Sequence, residues 1–256
     1  MEVKLTGLAA GPQPQLTVLQ DVSLGLSSGE QVALIGPSGA GKTTLLHVLG
    51  MALAPQAGTL RHDGRDVWAL GGAARQRARA GVFLAPQTPP LPPRQRVVTA
   101  VLAARLAQMG LWRSLRAWVL PLEPALAEQA LRRFDLADKL YERVDRLSGG
   151  ERQRVGLARA LVSPASLWLV DEPLSSLDPV RARQAVQALT AAAAARGATL
   201  AVSFHQVDVA LACFPRVIGV RDGRIVFDRA SAEVDPDSLA RLYAGDSVAS
   251  EAAPAA

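Results

Sequence analysis

The stretch QVALIGPSGAGKTTLLHVL, residues 31–49, decides the fold because it sets a glycine-rich loop between an apolar run and a helical pattern. The run QVALI is typical of a buried parallel strand. Residues 36–43 read GPSGAGKT and fit the pattern G-x-x-x-x-G-K-[ST]. A helix is expected from near Lys42 to about Leu49. In this context the loop predicts a site for the phosphates of a nucleotide.

Each residue type in this loop suits phosphate chemistry. Glycines let the backbone curl so that its N–H groups face a β-phosphate. Lys42 would reach the β- and γ-phosphates, and the Thr43 hydroxyl can ligate Mg²⁺. The predicted ATP-binding residues are Gly36, Pro37, Ser38, Gly39, Ala40, Gly41, Lys42, Thr43 and Thr44.

Two later stretches add chemistry to the phosphate loop. In LWLVDEP, residues 167–173, Asp171 ends an apolar strand and is placed to hold Mg²⁺, while Glu172 is the natural general base for an attacking water. In RLSGGERQRVGLARAL, residues 146–161, Ser148 and two glycines stand just ahead of a helical pattern. Backbone N–H groups at a helix start attract anions. The chain therefore carries a second predicted anion site.

Composition narrows the class of protein. The chain has 256 residues, 49% of them apolar, which is enough for a sizeable core. A single cysteine, Cys213, excludes an internal disulfide framework and suits a reducing compartment. The net charge is +5, carried almost wholly by Arg and without a block of like charge, so we expect no nucleic-acid partner. We also expect no signal peptide and no membrane span.

Strands and helices alternate along the chain, and a helical insert interrupts them. From Val97 to Arg143 the pattern is mostly helical, with breaks expected at Gly110, Pro121 and Pro124. A helix is predicted over Pro179 to Ala195, and residues 217–227 predict a hairpin with an Asp-Gly turn. This order predicts an α/β fold with a parallel-sheet core, an N-terminal antiparallel β region and an inserted α-helical subdomain.

The predicted boundaries follow from the same alternation. One domain is expected over residues 1–243, with the core and β region at 1–87 and 164–230 and the helical subdomain at 88–163. Residues 244–256 are expected to form a flexible tail.

The motifs now resemble one family. GPSGAGKT, a lone Gln87 after an apolar strand, LSGGERQRV, LWLVDEP, SSLD and SFHQ follow one another in the order of the ATP-binding cassette (ABC) ATPases. The resemblance covers roughly residues 1–230 and implies a RecA-like core that hydrolyses ATP with Mg²⁺. It also implies that two copies pair head to tail. The signature residues Leu147, Ser148, Gly149, Gly150 and Glu151 would then cover ATP held by Lys42 of the other copy.

The resemblance assigns further roles residue by residue. Gln87 matches the glutamine that contacts Mg²⁺ or water, so the Mg²⁺ residues would be Thr43, Gln87 and Asp171. Asp178 matches the aspartate that communicates across the dimer. His205 matches the histidine that contacts the γ-phosphate, and with Glu172 and Gln87 it forms the expected catalytic set. His47 and His62 have no such context, and we interpret them as structural or surface residues.

The transporter class is the next expectation. SFHQVDVAL at 203–211 and LWRSLRAW at 111–118 resemble the ATPase subunit of phosphonate importers, which also take up phosphite and phosphate. Expected partners are integral membrane permease subunits and, indirectly, a periplasmic solute-binding protein, with the chain peripheral on the cytoplasmic face of the inner membrane. Trp112 and Trp118 could equally pack within their own subdomain or lie near the permease. TPPLPP after Gln87 departs from the polar segment expected there.

Alternatives remain open at this point. The same motor could serve another importer or a lipid or lipoprotein exporter. A soluble ABC ATPase acting on nucleic acid is disfavoured, because those proteins usually carry two cassettes, coiled-coil arms or zinc motifs.

One departure from the family concerns adenine: no aromatic residue precedes Trp68, so nothing aromatic stacks on the base from the N-terminal region. We expect weaker or less selective base recognition.

Overall fold

Two β-sheets organise the chain, which the computed structural model describes over residues 1–109 and 123–244. The first sheet has the order β2-β1-β4-β5 and is antiparallel throughout. The second has the order β10-β9-β3-β8-β7-β6, and only β10 runs antiparallel to its neighbour. The strands are β1 (Val3–Ala10), β2 (Leu19–Leu26), β3 (Gln31–Ile35), β4 (Ala57–His62), β5 (Arg65–Asp66), β6 (Val82–Ala85), β7 (Leu167–Val170), β8 (Thr199–Phe204), β9 (Arg216–Arg221) and β10 (Arg224–Ala230).

Helices cover the two sheets. The α-helices are α1 (Lys42–Leu49), α2 (Gly72–Ala80), α3 (Val97–Leu102), α4 (Pro124–Arg132), α5 (Gly149–Val162), α6 (Pro179–Arg196), α7 (Val207–Cys213) and α8 (Pro236–Tyr243). Short 3-10 turns lie at Ala103–Gln108, Ala137–Lys139, Val144–Arg146 and Ser231–Glu233. Asp178 caps α6 by accepting the backbone N–H of Arg181, and Gly197 ends it in the left-handed conformation.

The central strands are buried on both faces. Along β7, Trp168 and Val170 pack into a cluster with the helices α3 to α7, whereas Leu167 and Leu169 face α1 and the antiparallel sheet. Successive side chains of a strand point to opposite faces, and a parallel sheet covered on both sides needs apolar residues on each. This explains the unbroken apolar runs of the sequence.

Every helix within residues 1–109 and 123–244 is too short or too polar to span a bilayer.

The α/β fold class and the hairpin are confirmed, and one expected break, at Pro124, is wrong. The predicted hairpin is β9–β10, and both turn residues have positive φ, 49° at Asp222 and 72° at Gly223, as a two-residue primed turn requires. Pro124 begins α4 instead of interrupting a helix, because proline is tolerated in the first turn. The expected breaks at Gly110 and Pro121, and residues 245–256 of the expected tail, lie outside the described residues.

Candidate functional site

The phosphate loop leaves the carboxyl end of β3 and leads into α1. Its backbone is shaped around Lys42, whose Nζ donates to the carbonyl oxygens of Gly36 at 2.7 Å and Pro37 at 2.9 Å. Gly36 has φ of 151°, and a Cβ there would lie 1.9 Å from the carbonyl oxygen of Val220 in β9. Glycine is therefore required at position 36 by the neighbouring strand as well as by the loop. Gly41, at φ 103°, directly precedes α1.

A hydroxyl and carboxylate pair lies beside this loop. Thr43 Oγ1 donates to Asp171 Oδ2 at 2.8 Å, and Ser203 Oγ donates to Asp171 Oδ1 at 2.6 Å. Asp171 is 4% exposed, so the two hydroxyl donors replace most of the contact that its carboxylate would make with water. Hydroxyl and carboxylate oxygens are the ligands that Mg²⁺ accepts, together with phosphate oxygens. Within residues 1–109 and 123–244, no group of three or more His, Cys, Asp or Glu side chains could hold a metal by itself.

Glu172 is held by two side chains from different parts of the sequence. Gln87 Nε2 donates to Glu172 Oε2 at 2.8 Å, and His205 Nε2 lies 2.6 Å from Glu172 Oε1. The Glu172 side chain is 12% exposed, whereas His205 is 51% exposed. Glu172 also has a positive φ of 44°, which a non-glycine residue rarely adopts. The structure thus brings together all three residues that the sequence predicted as catalytic.

The edge of the parallel sheet explains this meeting. β3, β8, β7 and β6 are adjacent and parallel, so their carboxyl ends share one edge. The phosphate loop follows β3, His205 follows β8, Asp171 and Glu172 follow β7, and Gln87 lies just beyond β6. Ligands of open α/β sheets bind outside the carboxyl ends of strands. A pocket of about 120 Å³ opens there, lined in part by Glu172, Ser203 and His205.

The signature stretch forms the start of α5. Ser148 is its N-cap: the Ser148 hydroxyl accepts the N–H of Glu151, and the Glu151 carboxylate accepts the N–H of Ser148 at 2.7 Å. That backbone hydrogen bond is the main cause that lowers the pKa of Glu151 below its usual value. Leu147 is buried just before the cap, and Gly149 and Gly150 form the first turn. The backbone N–H groups of this turn suit an anion.

Asp178 occupies a helix cap in this structure. It accepts the Arg181 backbone N–H at 3.0 Å, which lowers its pKa, and its side chain is half exposed. Its contact with a second copy stays a prediction. Trp112 and Trp118 lie outside the described residues.

His62 is buried, with 5% of its surface exposed, and its Nε2 lies 3.1 Å from the carbonyl oxygen of Leu49. This environment fits the interpretation of His62 as a structural residue.

Two site residues escaped the sequence analysis. Ser203 Oγ accepts the backbone N–H of Glu172 at 2.9 Å while it donates to Asp171, so it joins the two acidic residues. Its signal was its place at the end of a buried strand, two residues before His205. Gln153 Nε2 donates to the carbonyl oxygen of Glu172 at 3.0 Å. Gln153 lies inside the motif LSGGERQRV, but the resemblance assigned a role only to Leu147 through Glu151.

The chain is similar to known proteins over most of its length. A family model described as ABC transporter matches residues 19–175. A phosphonates import ATP-binding protein PhnC of Polaromonas sp. (strain JS666) is 58% identical over 248 residues, covering 95% of this chain and 90% of the relative. A phosphonates import ATP-binding protein PhnC 2 of Pseudomonas aeruginosa (strain UCBPP-PA14) is 53% identical over 253 residues, covering 99% of this chain and 95% of the relative.

Solved structures agree with the family match. A dimeric ATP-binding cassette in a post-hydrolysis state, bound to ADP and Pi, superimposes with a TM-score of 0.75 at 25% identity, covering 90% of this chain and 98% of that one. An ATP-binding cassette of an ABC transporter in its ADP conformation gives a TM-score of 0.76 at 23% identity, covering 96% and 99%, and shows the common fold.

Proposed function

Since the chain belongs to the ABC transporter family of ATP-binding proteins, we propose that it is the ATP-hydrolysing motor subunit of an importer for phosphonates or related phosphorus oxyanions such as phosphite and phosphate. One observation supports ATP hydrolysis by this chain. The Glu172 carboxylate is held between Gln87 and His205, next to the Thr43–Asp171 pair and the phosphate loop. The names of relatives more than 50% identical support the choice of solute.

The proposed chemistry uses the residues at the sheet edge. Lys42 and the N–H groups of the phosphate loop bind the β- and γ-phosphates. Thr43, Gln87 and Asp171 would hold Mg²⁺, which when bound neutralises phosphate charge. Glu172 accepts a proton from the water that attacks the γ-phosphorus, and the bond to the β–γ bridging oxygen breaks. His205 orients Glu172 and would contact the γ-phosphate.

A second copy of the chain is part of the proposal. Leu147 to Glu151 would cover ATP bound by the partner's phosphate loop, giving two composite sites related by a two-fold axis. The capping box at Ser148 and Glu151 supports this role because it orders the helix start. Asp178, half exposed at the start of α6, would contact the other copy. A dimeric cassette among the solved structures supports the pairing.

The remaining partners follow from import. Integral membrane permease subunits would bind the predicted helical subdomain, residues 88–163. A periplasmic solute-binding protein would deliver the solute. The chain would lie peripherally on the cytoplasmic face of the inner membrane. ATP would close the dimer and hydrolysis would open it, which moves the permease.

The decisive experiment pairs the chain with candidate membrane and periplasmic subunits. ATP hydrolysis is measured in reconstituted complexes with a phosphonate, phosphite, phosphate and an unrelated solute, with Glu172→Gln as the inactive reference. Stimulation by a phosphorus oxyanion but not by the unrelated solute is expected. A stable complex stimulated only by another solute would retain the motor and discard the phosphonate assignment. The absence of any complex would remove the importer assignment.

A further inference from the structure

Gln153 in α5 directs its whole side-chain amide at the segment that follows β7. Its Nε2 donates to the carbonyl oxygen of Glu172 at 3.0 Å and to Ser175 Oγ at 3.1 Å. Its Oε1 accepts the backbone N–H of Ser176 at 2.9 Å. The residue is 4% exposed, so water does not compete for these hydrogen bonds. One planar amide therefore ties the signature helix to residues 172–176.

The same face of α5 is packed closely against its neighbours. A Cβ on Gly150 would lie 2.8 Å from the carbonyl oxygen of Ser176, so α5 approaches that backbone directly. A Cβ on Gly156 would lie 2.6 Å from Pro89 Cγ, so the segment after Gln87 rests on the helix too. Residues three apart on a helix share a face, and Gln153 lies midway between these glycines. At both glycines a side chain would collide with the neighbouring segment, so α5 is in close contact with each of them.

Gln153 also fixes the backbone of the general base. Both backbone polar groups of Glu172 are held, its carbonyl oxygen by Gln153 and its N–H by Ser203 Oγ. This matters because Glu172 has a positive φ of 44°. A non-glycine residue keeps such a conformation only where its surroundings enforce it. Without the amide of Gln153, Glu172 loses one of the two hydrogen bonds that hold its backbone.

We propose that Gln153 is a positioning residue that couples the signature loop to the general base of the same chain. The inference rests on the proposed function, in which the signature loop serves ATP on the partner while Glu172 serves ATP on its own Lys42. Each chain then contributes to two ATP sites through one hydrogen-bonded unit, residues 148–156 with 172–176. Closure of the signature loop over one ATP sets Glu172 at the other, so the two sites act together.

The first test compares two near-isosteric substitutions. Gln153→Met removes all three hydrogen bonds with little change in volume or helix propensity. Gln31→Met is the matched control, because the Gln31 amide donates to the Thr190 carbonyl oxygen at 2.9 Å on the strand before the phosphate loop. We expect Gln153→Met to lower kcat for ATP by about 10- to 100-fold with KM changed less than about threefold, since the phosphate loop is untouched. Gln31→Met is expected to alter neither.

A charge-bearing variant separates the two arms of the amide. Gln153→Glu keeps an oxygen that accepts the Ser176 N–H but cannot donate to the Glu172 carbonyl. It is expected to lose kcat as Gln153→Met does, and to lose more thermal stability, because a buried carboxylate oxygen would then face the Glu172 carbonyl oxygen. Equal kcat for wild type, Gln153→Met and Gln153→Glu would overturn the proposal. If Glu172→Gln did not lower ATP hydrolysis below that of the wild type, the proposed function would be refuted. The inference about Gln153 would then fail with it.

Covalently linked dimers test the coupling itself. Glu172→Gln in one copy leaves a single active site, formed by Glu172 of the second copy and the signature loop of the first. Gln153→Met is then placed in either copy. The proposal expects lower turnover from both placements, because Gln153 acts on the base in one copy and on the signature loop in the other. Loss confined to one placement would overturn the coupling.

Discussion

His205 Nε2 lies 2.6 Å from Glu172 Oε1, although the two residues follow different strands of the sheet, β8 and β7. Gln87 donates to the other carboxylate oxygen at 2.8 Å, so each oxygen of the Glu172 carboxylate has a side-chain partner. Such a pair of contacts fixes the carboxylate in one direction and limits its rotation. The direction of this carboxylate governs the first prediction.

Glu172→Gln should nearly abolish ATP hydrolysis and leave ATP binding intact. The amide keeps the shape of the side chain but cannot accept a proton, and loss of a general base costs about 10²–10⁴-fold in rate. ATP should then hold two copies together. Steady-state hydrolysis and size-exclusion chromatography with ATP provide the measurement, with exposed Glu233→Gln as the control. Wild-type turnover in Glu172→Gln would contradict the assigned role.

Ser203→Ala should weaken both the fold and the use of Mg²⁺. The substitution removes the hydroxyl that donates to Asp171 and accepts from Glu172, at a position with no exposed surface. Leaving such groups unpaired lowers the free energy of unfolding by about 1–3 kcal/mol. Denaturant unfolding and Mg²⁺ titration of ATP hydrolysis measure the two effects.

The matched control for this substitution is Ser163→Ala. Ser163 is equally buried and its hydroxyl accepts the N–H of Ala165, away from the carboxylates. It should lose stability without a change in the Mg²⁺ requirement. If both variants needed the same Mg²⁺ concentration as wild type, Ser203 would have no part in holding the metal.

His62 should make the fold sensitive to mild acid. Burial lowers the pKa of His62 below its ordinary 6.5, so the folded chain keeps it neutral while the unfolded chain takes up a proton. The stabilising contribution is complete above about pH 6.5 and is lost as the pH falls toward the folded pKa. The slope is at most ~1.4 kcal/mol per pH unit.

Chemical denaturation between pH 7.5 and pH 5, about the range over which histidine titrates, measures this slope. His62→Gln keeps a donor for the Leu49 carbonyl oxygen and cannot titrate, so its curve should be flatter than that of wild type. His47→Gln, on the partly exposed surface of α1, should leave the slope unchanged. Identical slopes for wild type and His62→Gln would exclude His62 as the titrating group.

Adenine should be recognised less selectively than in relatives that stack an aromatic ring on it. Base stacking contributes about 1–3 kcal/mol, and no aromatic residue precedes Trp68 in this chain. We expect the ratio of kcat/KM for ATP over GTP to stay below about tenfold, which corresponds to 1.4 kcal/mol. Competition with fluorescent ATP measures the affinities directly. A preference well above this ratio would show that other residues hold the base.

Several local features were predictable because short-range geometry dictates them. The phosphate loop, the helix from Lys42 to Leu49 and the strand at 31–35 agree with the structure, since glycine spacing and an apolar run fix them within a few residues. The hairpin at Asp222–Gly223 follows from turn chemistry. Family membership, predicted from the order of six motifs, is confirmed by the family model and by relatives named for phosphonate import.

Other features depended on residues far apart in the sequence. Strand β4 at Ala57–His62 has only a weak alternating pattern, and it forms because β1 offers it an edge for pairing. Pro124 was misinterpreted as a break because the same residue favours the first turn of a helix and disrupts its interior. Gln153 lies inside the motif LSGGERQRV, but the motif does not show its role, since that role depends on which backbone its amide reaches.

The sequence by itself determined the phosphate loop, the acidic pair Asp171–Glu172 and the capped helix at Ser148, because neighbouring residues build each of them. Only the tertiary structure decided that Gln87, Glu172 and His205 touch. Parallel pairing of β6, β7 and β8 in register brings three distant strand ends to one edge of the sheet. That register is set by burial of both sheet faces, which involves the whole core and which no local stretch encodes.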